Sequence, residues 1–274
     1  MERIQVPLST HPWSTVADVA RHFRSDEWLL TGGLMVQAHA MIHGLPSRAT
    51  EDADFLLNIL AYDRIASQMQ SFLGTLGFEL EDGTMSGYAS RFSTESKDKV
   101  DLMVADYVFG KDKRRNASLM GRPLCGMPGG GQAIQRRQRI LFDYGGEELH
   151  ITIPDLLGSV MLKSAAWMVD KTSRRNRHLR DAALLLSLIE DPVAQIKRLH
   201  SGNDRKRIIL LADRLGEDSD FWDRLDTAHR QSGLDTLDVF LEWAEMTGWV
   251  VPPPDIHTDS ESTRVAWYLS SPPV

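Results

Sequence analysis

Asp52-Ala53-Asp54 sets two carboxylates two residues apart, within Arg48-Ala49-Thr50-Glu51-Asp52-Ala53-Asp54-Phe55-Leu56-Leu57. On a β-strand, residues i and i+2 share a face, so Asp52 and Asp54 would stand side by side, about 7 Å apart. Asp is a poor strand former, and like charges on one face repel. A cation between them removes the repulsion. Two oxygen-only ligands with room for water and phosphate suit Mg²⁺, the ion on which phosphoryl and nucleotidyl transfer rely. The alternative for the same residues is a solvated, inert acidic strand end.

Upstream, Trp28-Leu29-Leu30-Thr31 reads as a short buried strand, and Gly32-Gly33 opens a helix with Leu34, Ala38, Met41 and Ile42 on one face and Gly44 as its stop. Glycines at a helix N-terminus let backbone N–H groups approach a phosphate, and the helix dipole favours the anion there. Before this pair, Ser14 can cap a predicted helix striped by Val16, Val19, Ala20 and Phe23. After the Asp pair, a helix spans about 62–76, and strands are predicted over Gly87–Phe92 and Lys99–Ala105. This order predicts a small sheet domain with helices packed on it.

From 107 to 146 the periodicity weakens and the chain reads as a long loop. Gly129-Gly130-Gly131 could cradle a phosphate there but matches no phosphate-binding motif. Arg139–Phe142 and Glu148–Ile153 form a candidate hairpin around Gly145-Gly146. Pro154 suits a first helical position, and helices are predicted over 155–169, 177–190, 193–200, 204–214, 219–230 and 235–247. The domains are thus expected at 1–153, 154–250 and a Pro-rich polar tail, 251–274.

The net charge of −7 over 274 residues excludes a global basic field, but the charge is uneven. Residues 111–140 hold eight Lys/Arg against the single acid Asp112, and 171–180 hold five with no acid. Local patches matter more than net charge to a polyanion. A single cysteine, Cys125, excludes a disulfide framework and a Cys-based metal site. No signal peptide or apolar membrane span is apparent, and a cytoplasmic location is expected.

A third carboxylate for the Asp pair should come from a neighbouring strand. In Lys99–Ala105, Val100, Leu102 and Val104 line one face and Asp101 points to the other. Asp101 is therefore the candidate to complete a metal site or accept a proton, against a plain solvent-facing acid. Arg48 and Thr50 are candidates to touch phosphate or to fix the strand. Lys163 stands mid-helix among Met161, Leu162, Ala165 and Ala166, where a charge needs a partner or solvent. It could neutralise a triphosphate as a point charge. Arg180 and Asp181 begin the stripe Leu184, Leu185, Leu188, and Asp181 could instead favour its helix N-terminus or pair with Lys163. His39 and His43 have zinc-like spacing without the acid of the metalloprotease motif, and packing roles are expected.

Taken together, Gly32-Gly33, Arg48-x-Thr50-x-Asp52-x-Asp54, Asp101, Lys163 and Arg180-Asp181 resemble the AbiEii-type nucleotidyltransferases of the DNA polymerase β-type superfamily. The resemblance covers about residues 25 to 190. It implies an α+β fold: a mixed β-sheet core flanked by helices, then a helical domain. It also implies Mg²⁺ held by Asp52, Asp54 and Asp101, and a nucleoside triphosphate bound through Gly32, Gly33, Arg48, Thr50, Lys163, Arg180 and Asp181. Many relatives are toxins with a cognate antitoxin, and some extend the tRNA acceptor end, so RNA is the expected acceptor through the two basic runs. The gap from Gly33 to Asp52 is longer than usual, and Leu184 stands where an Asp often follows the Arg-Asp pair. The rival expectations are nucleotidylation of an aminoglycoside-like antibiotic and a catalytically inactive binding or regulatory protein on the same fold.

Overall fold

The structure, a computed structural model, describes residues 1–81, 88–106, 117–199 and 202–247. The chain divides into two compact units at Gly158/Ser159, a few residues beyond the boundary expected at 154. The first unit begins with β1 (Arg3–Val6), α1 (Trp13–His22), β2 (Trp28–Leu30), α2 (Gly32–Ile42), β3 (Asp52–Leu57) and α3 (Ile65–Thr75). It continues with β4 (Glu79–Leu80), β5 (Arg91–Ser93), β6 (Lys99–Ala105), β7 (Ser118–Leu119), β8 (Arg122–Pro123) and β9 (Cys125–Met127). A short helix, α4 (Gly130–Gln135), and the strands β10 (Arg137–Tyr144) and β11 (Glu147–Pro154) complete it.

The main sheet runs β2-β3-β6-β5-β4, with β9 also paired to β6. It is mixed: β3 and β9 are parallel to β6, while β2–β3, β5–β6 and β4–β5 are antiparallel. The first half of β3 is amphipathic, with Ala53 and Phe55 buried and Asp52 and Asp54 half-buried, after which Leu56 and Leu57 are both buried. β6 alternates in the same way. Val100, Leu102 and Val104 are fully buried, and Lys99, Asp101 and Met103 are on the wetter face. The protein is α+β, as its alternation of helical and strand periodicities predicts.

The α2 helix is buried more widely than a single stripe. Met35, Val36, Ala38, His39 and Ala40 are inaccessible or nearly so, while Met41, expected on the apolar face, is 37% exposed. The cause is that α2 packs against both β3 and β1, and two packing faces leave only a narrow outer edge.

The expected loop over 107–146 is corrected from 117 onward, where β7, β8, β9 and α4 lie ahead of the predicted hairpin; 107–116 fall outside the described residues. Strands of two or three residues are too short to show a period, and β9 exists because β6 offers it a partner. Gly130 is needed for close packing: an added Cβ would lie 3.0 Å from the Ala105 Cα. The predicted hairpin is present. β10 and β11 pair antiparallel about Gly145 and Gly146, whose φ of +62° and +96° suit a two-residue turn of opposite hand to the common types. β1 joins β10 in parallel on the other side. Pro154 ends β11 rather than starting a helix, and Asp155 caps the next one, its Oδ1 accepting from the Gly158 N–H at 2.9 Å.

The second unit is helical. It contains most of α5 (Leu156–Val169), α6 (Arg177–Ser187), α7 (Pro192–Ile196), α8 (Gly202–Arg214), a 3₁₀ turn (Asp220–Trp222) and α9 (Thr227–Met246). The two helices expected over 219–230 and 235–247 are instead one 20-residue helix after the 3₁₀ turn. Gly233 does not break α9; it makes room for Trp222, whose ring would lie 2.5 Å from an added Cβ. Among the described residues, no helix is long and apolar enough to cross a membrane. The polar tail 251–274 and Gly87, the expected start of a strand, lie outside the described residues.

Candidate active site

Strand pairing brings the three candidate carboxylates to one patch of the main sheet. Asp54 lies directly opposite Asp101, and Asp52 opposite Lys99, across the parallel β3–β6 pair. Neighbouring strands are about 4.8 Å apart and directly paired residues share a face, so Asp52, Asp54 and Asp101 project to the same side. The antiparallel partner on β6's other flank adds Arg91 opposite Asp101 and Ser93 opposite Lys99. The patch is thus a small grid in which three acids meet two cations, Lys99 and Arg91.

Arg91 grips Asp101 with both arms. Nε donates to Oδ1 at 2.8 Å and Nη2 to Oδ2 at 2.5 Å, with the side chains 43% and 16% exposed. These hydrogen bonds, with the negative charges of Asp101, Asp52 and Glu81, hold the Arg91 guanidinium above its ordinary pKa against the opposing effect of burial. Asp52 thus acts on the guanidinium as well as Asp101.

The two glycines at the start of α2 are there because side chains occupy their flank. Gly32, at φ +62°, lies so close to Asp54 that an added Cβ would fall 1.7 Å from Oδ2. At Gly33 an added Cβ would fall 2.6 Å from Thr50 Oγ1. The Thr31 N–H and hydroxyl donate to the Asp54 carbonyl at 2.9 and 3.2 Å, locking the turn to the strand. Asp54 therefore sits at the positive end of the α2 dipole. Gln37 Nε2 donates to the Arg48 carbonyl at 2.9 Å, which ties the approach to β3 along the same helix. His11 fastens the start of β3: Nε2 donates to the Glu51 carbonyl and Nδ1 accepts from the Thr15 hydroxyl, both at 2.9 Å. The sequence carries no signal for His11 or Arg91, because each reaches the site from a distant segment.

As the side chains stand, no group of three or more His, Cys, Asp or Glu among the described residues forms a metal cage, and Asp101 is held by Arg91. The donor set nonetheless fits Mg²⁺, which takes one or two carboxylates and keeps several waters and phosphate oxygens. Asp52 and Asp54 satisfy that without Asp101.

Lys163 and Asp181 lie in the helical unit and close on each other. The ammonium is 2.8 Å from Oδ2, with side chains only 5% and 3% exposed. This is the pairing with Lys163 weighed from the sequence for Asp181. Lys163's charge is engaged by Asp181, and its side chain leaves little surface with which to meet a triphosphate, the other role expected for it. Arg180 is exposed, its guanidinium 5.6 Å from the Phe221 ring centre.

The basic runs are only partly described. Lys111, Lys113, Arg114 and Arg115 lie outside the described residues. Arg136 is buried and its carbonyl accepts from the Asp155 N–H at 2.7 Å, a structural role. Arg137 and Arg139 line a groove with Arg24, Asp26 and His150. That groove is at the Asp26 end of β2, whereas Gly32 and the carboxylates are at the other end of the strand. These two arginines therefore do not join the site. In the second run, Arg175 stacks on Trp167, 3.7 Å from the ring centre, with Arg214 at 5.2 Å.

His39 is a packing residue. It is fully buried, Nε2 donates to the Pro154 carbonyl at 2.9 Å, and burial lowers its pKa to about 4. No family model matches the chain, and neither does any curated protein or solved structure.

Proposed function

We propose that the chain is a Mg²⁺-dependent nucleotidyltransferase that moves a nucleoside monophosphate from a triphosphate to a hydroxyl, releasing pyrophosphate. The observation that supports this best is the register Asp54–Asp101, with Asp52 on the same face and the Gly32-Gly33 turn against Asp54. Asp52 and Asp54 would hold the ion, which when bound polarises phosphate oxygens and neutralises their charge. The start of α2 would offer backbone N–H groups to phosphate, with Thr50 against Gly33, and Lys99, opposite Asp52, and Arg48 would help to neutralise its charge. Asp101, once clear of Arg91, would take the proton from the attacking hydroxyl.

The acceptor we propose is RNA, such as the tRNA acceptor end, in a toxin–antitoxin setting. This part rests on the resemblance and on the basic run at 171–180. A small hydroxyl compound such as an aminoglycoside is the second reading, favoured by the position of Arg137 and Arg139 away from the carboxylates. Incubation with labelled triphosphates, Mg²⁺ and either total RNA or an aminoglycoside panel separates the two. Label should move to one acceptor class with the wild type and to neither with Asp54→Asn. Transfer that survives Asp54→Asn refutes the reading.

A further inference from the structure

We infer that Arg91 is a built-in counter-ion of the proposed metal site: it holds the third carboxylate while no divalent ion is present, is displaced from it when one binds, and then serves as a phosphate ligand. The inference rests on the nucleotidyltransferase reading and adds a residue and a control step to it.

Four observations carry it. Arg91 is paired to Asp101 from the flank opposite Asp54, so Asp101 lies between a guanidinium and the Asp pair and can turn to either. Both Asp101 oxygens are engaged, and a carboxylate so gripped cannot at the same time accept a proton from a hydroxyl. Strand pairing sets Asp52, Asp54 and Asp101 on one face with Lys99 and Arg91 among them, so moving Arg91 off Asp101 favours a cation taking its place. Finally, Arg91 is able to leave. Its side chain is 43% exposed and its strand, β5, has only three residues, with the two-residue β4 beyond it. A half-exposed ion pair is a weak bond beside metal–carboxylate coordination. A freed guanidinium beside the ion has the planar fork that matches phosphate oxygens.

A plain cross-strand clamp is the alternative, and metal affinity tells the two apart. Mn²⁺ binding to the full-length chain, without nucleotide, would be titrated calorimetrically for wild type, Arg91→Gln, Arg91→Lys and Asp54→Asn. Arg91→Gln should bind at least about tenfold more tightly, as expected when a unit positive charge a few ångströms from the ion is removed. Arg91→Lys keeps the charge but loses the fork, and should fall between wild type and Arg91→Gln. In the wild type, the Arg91 Nε–H resonance should shift at stoichiometric Mg²⁺, and Arg91→Gln should raise the KM for the triphosphate. Equal Mn²⁺ affinity in wild type, Arg91→Gln and Arg91→Lys, with a lowered melting temperature in Arg91→Gln, overturns the inference and leaves a clamp. Mn²⁺ binding that is absent from all four proteins, or unaffected by Asp54→Asn, overturns the metal site itself and the inference with it.

Discussion

Replacing Lys163 by Met tests whether this lysine holds the helical unit together or serves phosphate chemistry. Its ammonium lies 2.8 Å from Asp181 Oδ2, and the side chains are 5% and 3% exposed. Methionine has similar length and no charge, so the substitution leaves Asp181 buried without its cation. Breaking a buried pair from one side costs about 3–5 kcal/mol. Asp181 has a further interaction, which points to the lower end of that range. For a protein of this size, about 3 kcal/mol corresponds to a fall in melting temperature on the order of 10 °C. Removing both partners, in Lys163→Met with Asp181→Leu, eliminates the orphaned charge and should recover most of the loss, because well-packed apolar replacements of buried pairs are often neutral. Urea unfolding followed by helical circular dichroism, over the full double-mutant cycle, gives the coupling directly. A Lys163→Met variant that unfolds within about 0.5 kcal/mol of wild type, the range of an ordinary surface change, and yet has lost nucleotidyl transfer would refute the structural assignment.

Two further predictions come from the first unit. Gly32→Ala forces a side chain into φ +62° and sets its Cβ 1.7 Å from Asp54 Oδ2; the backbone strain alone is roughly 1–2 kcal/mol. The variant should remain folded by circular dichroism but lose Mn²⁺ binding and transfer, and normal binding would show that the position of Asp54 is irrelevant. His39 has a folded pKa of about 4 against an ordinary 6.5, so the unfolded chain binds more protons between those values. Its stabilisation is complete above about pH 6.5 and is lost as pH falls towards 4. Unfolding free energy should drop by about 2 kcal/mol between pH 7.5 and pH 5 from this residue, and His39→Gln should remove that part of the slope. An unchanged slope in the variant would place the acid sensitivity elsewhere.

Much of the site's local geometry was legible in the residues themselves. The parity of Asp52 and Asp54, and the opposition of Asp101 to Val100, Leu102 and Val104, follow from the two-residue period of a strand. Gly32 at the start of α2, with its φ of +62°, and the turn at Gly145-Gly146 are equally local, since each is set by the conformations of one or two residues. The strand over Lys99–Ala105 needed only its own alternation.

What the tertiary structure decided is which of these local pieces meet. The Asp54–Asp101 register, the Arg91 grip on Asp101 and the closed Lys163–Asp181 pair each join residues from separate elements, and no periodicity within one element encodes its partner. The same holds for β1, whose four residues become a strand only against β10 at the far end of the unit, and for β9, which depends on the edge of β6. Gly233 illustrates the point from the opposite side: alone it reads as a helix break, but Trp222 occupies the space beside it and α9 runs through. Short strands and mid-helix glycines have weak local preferences, so the burial and hydrogen bonds supplied by distant residues outweigh them.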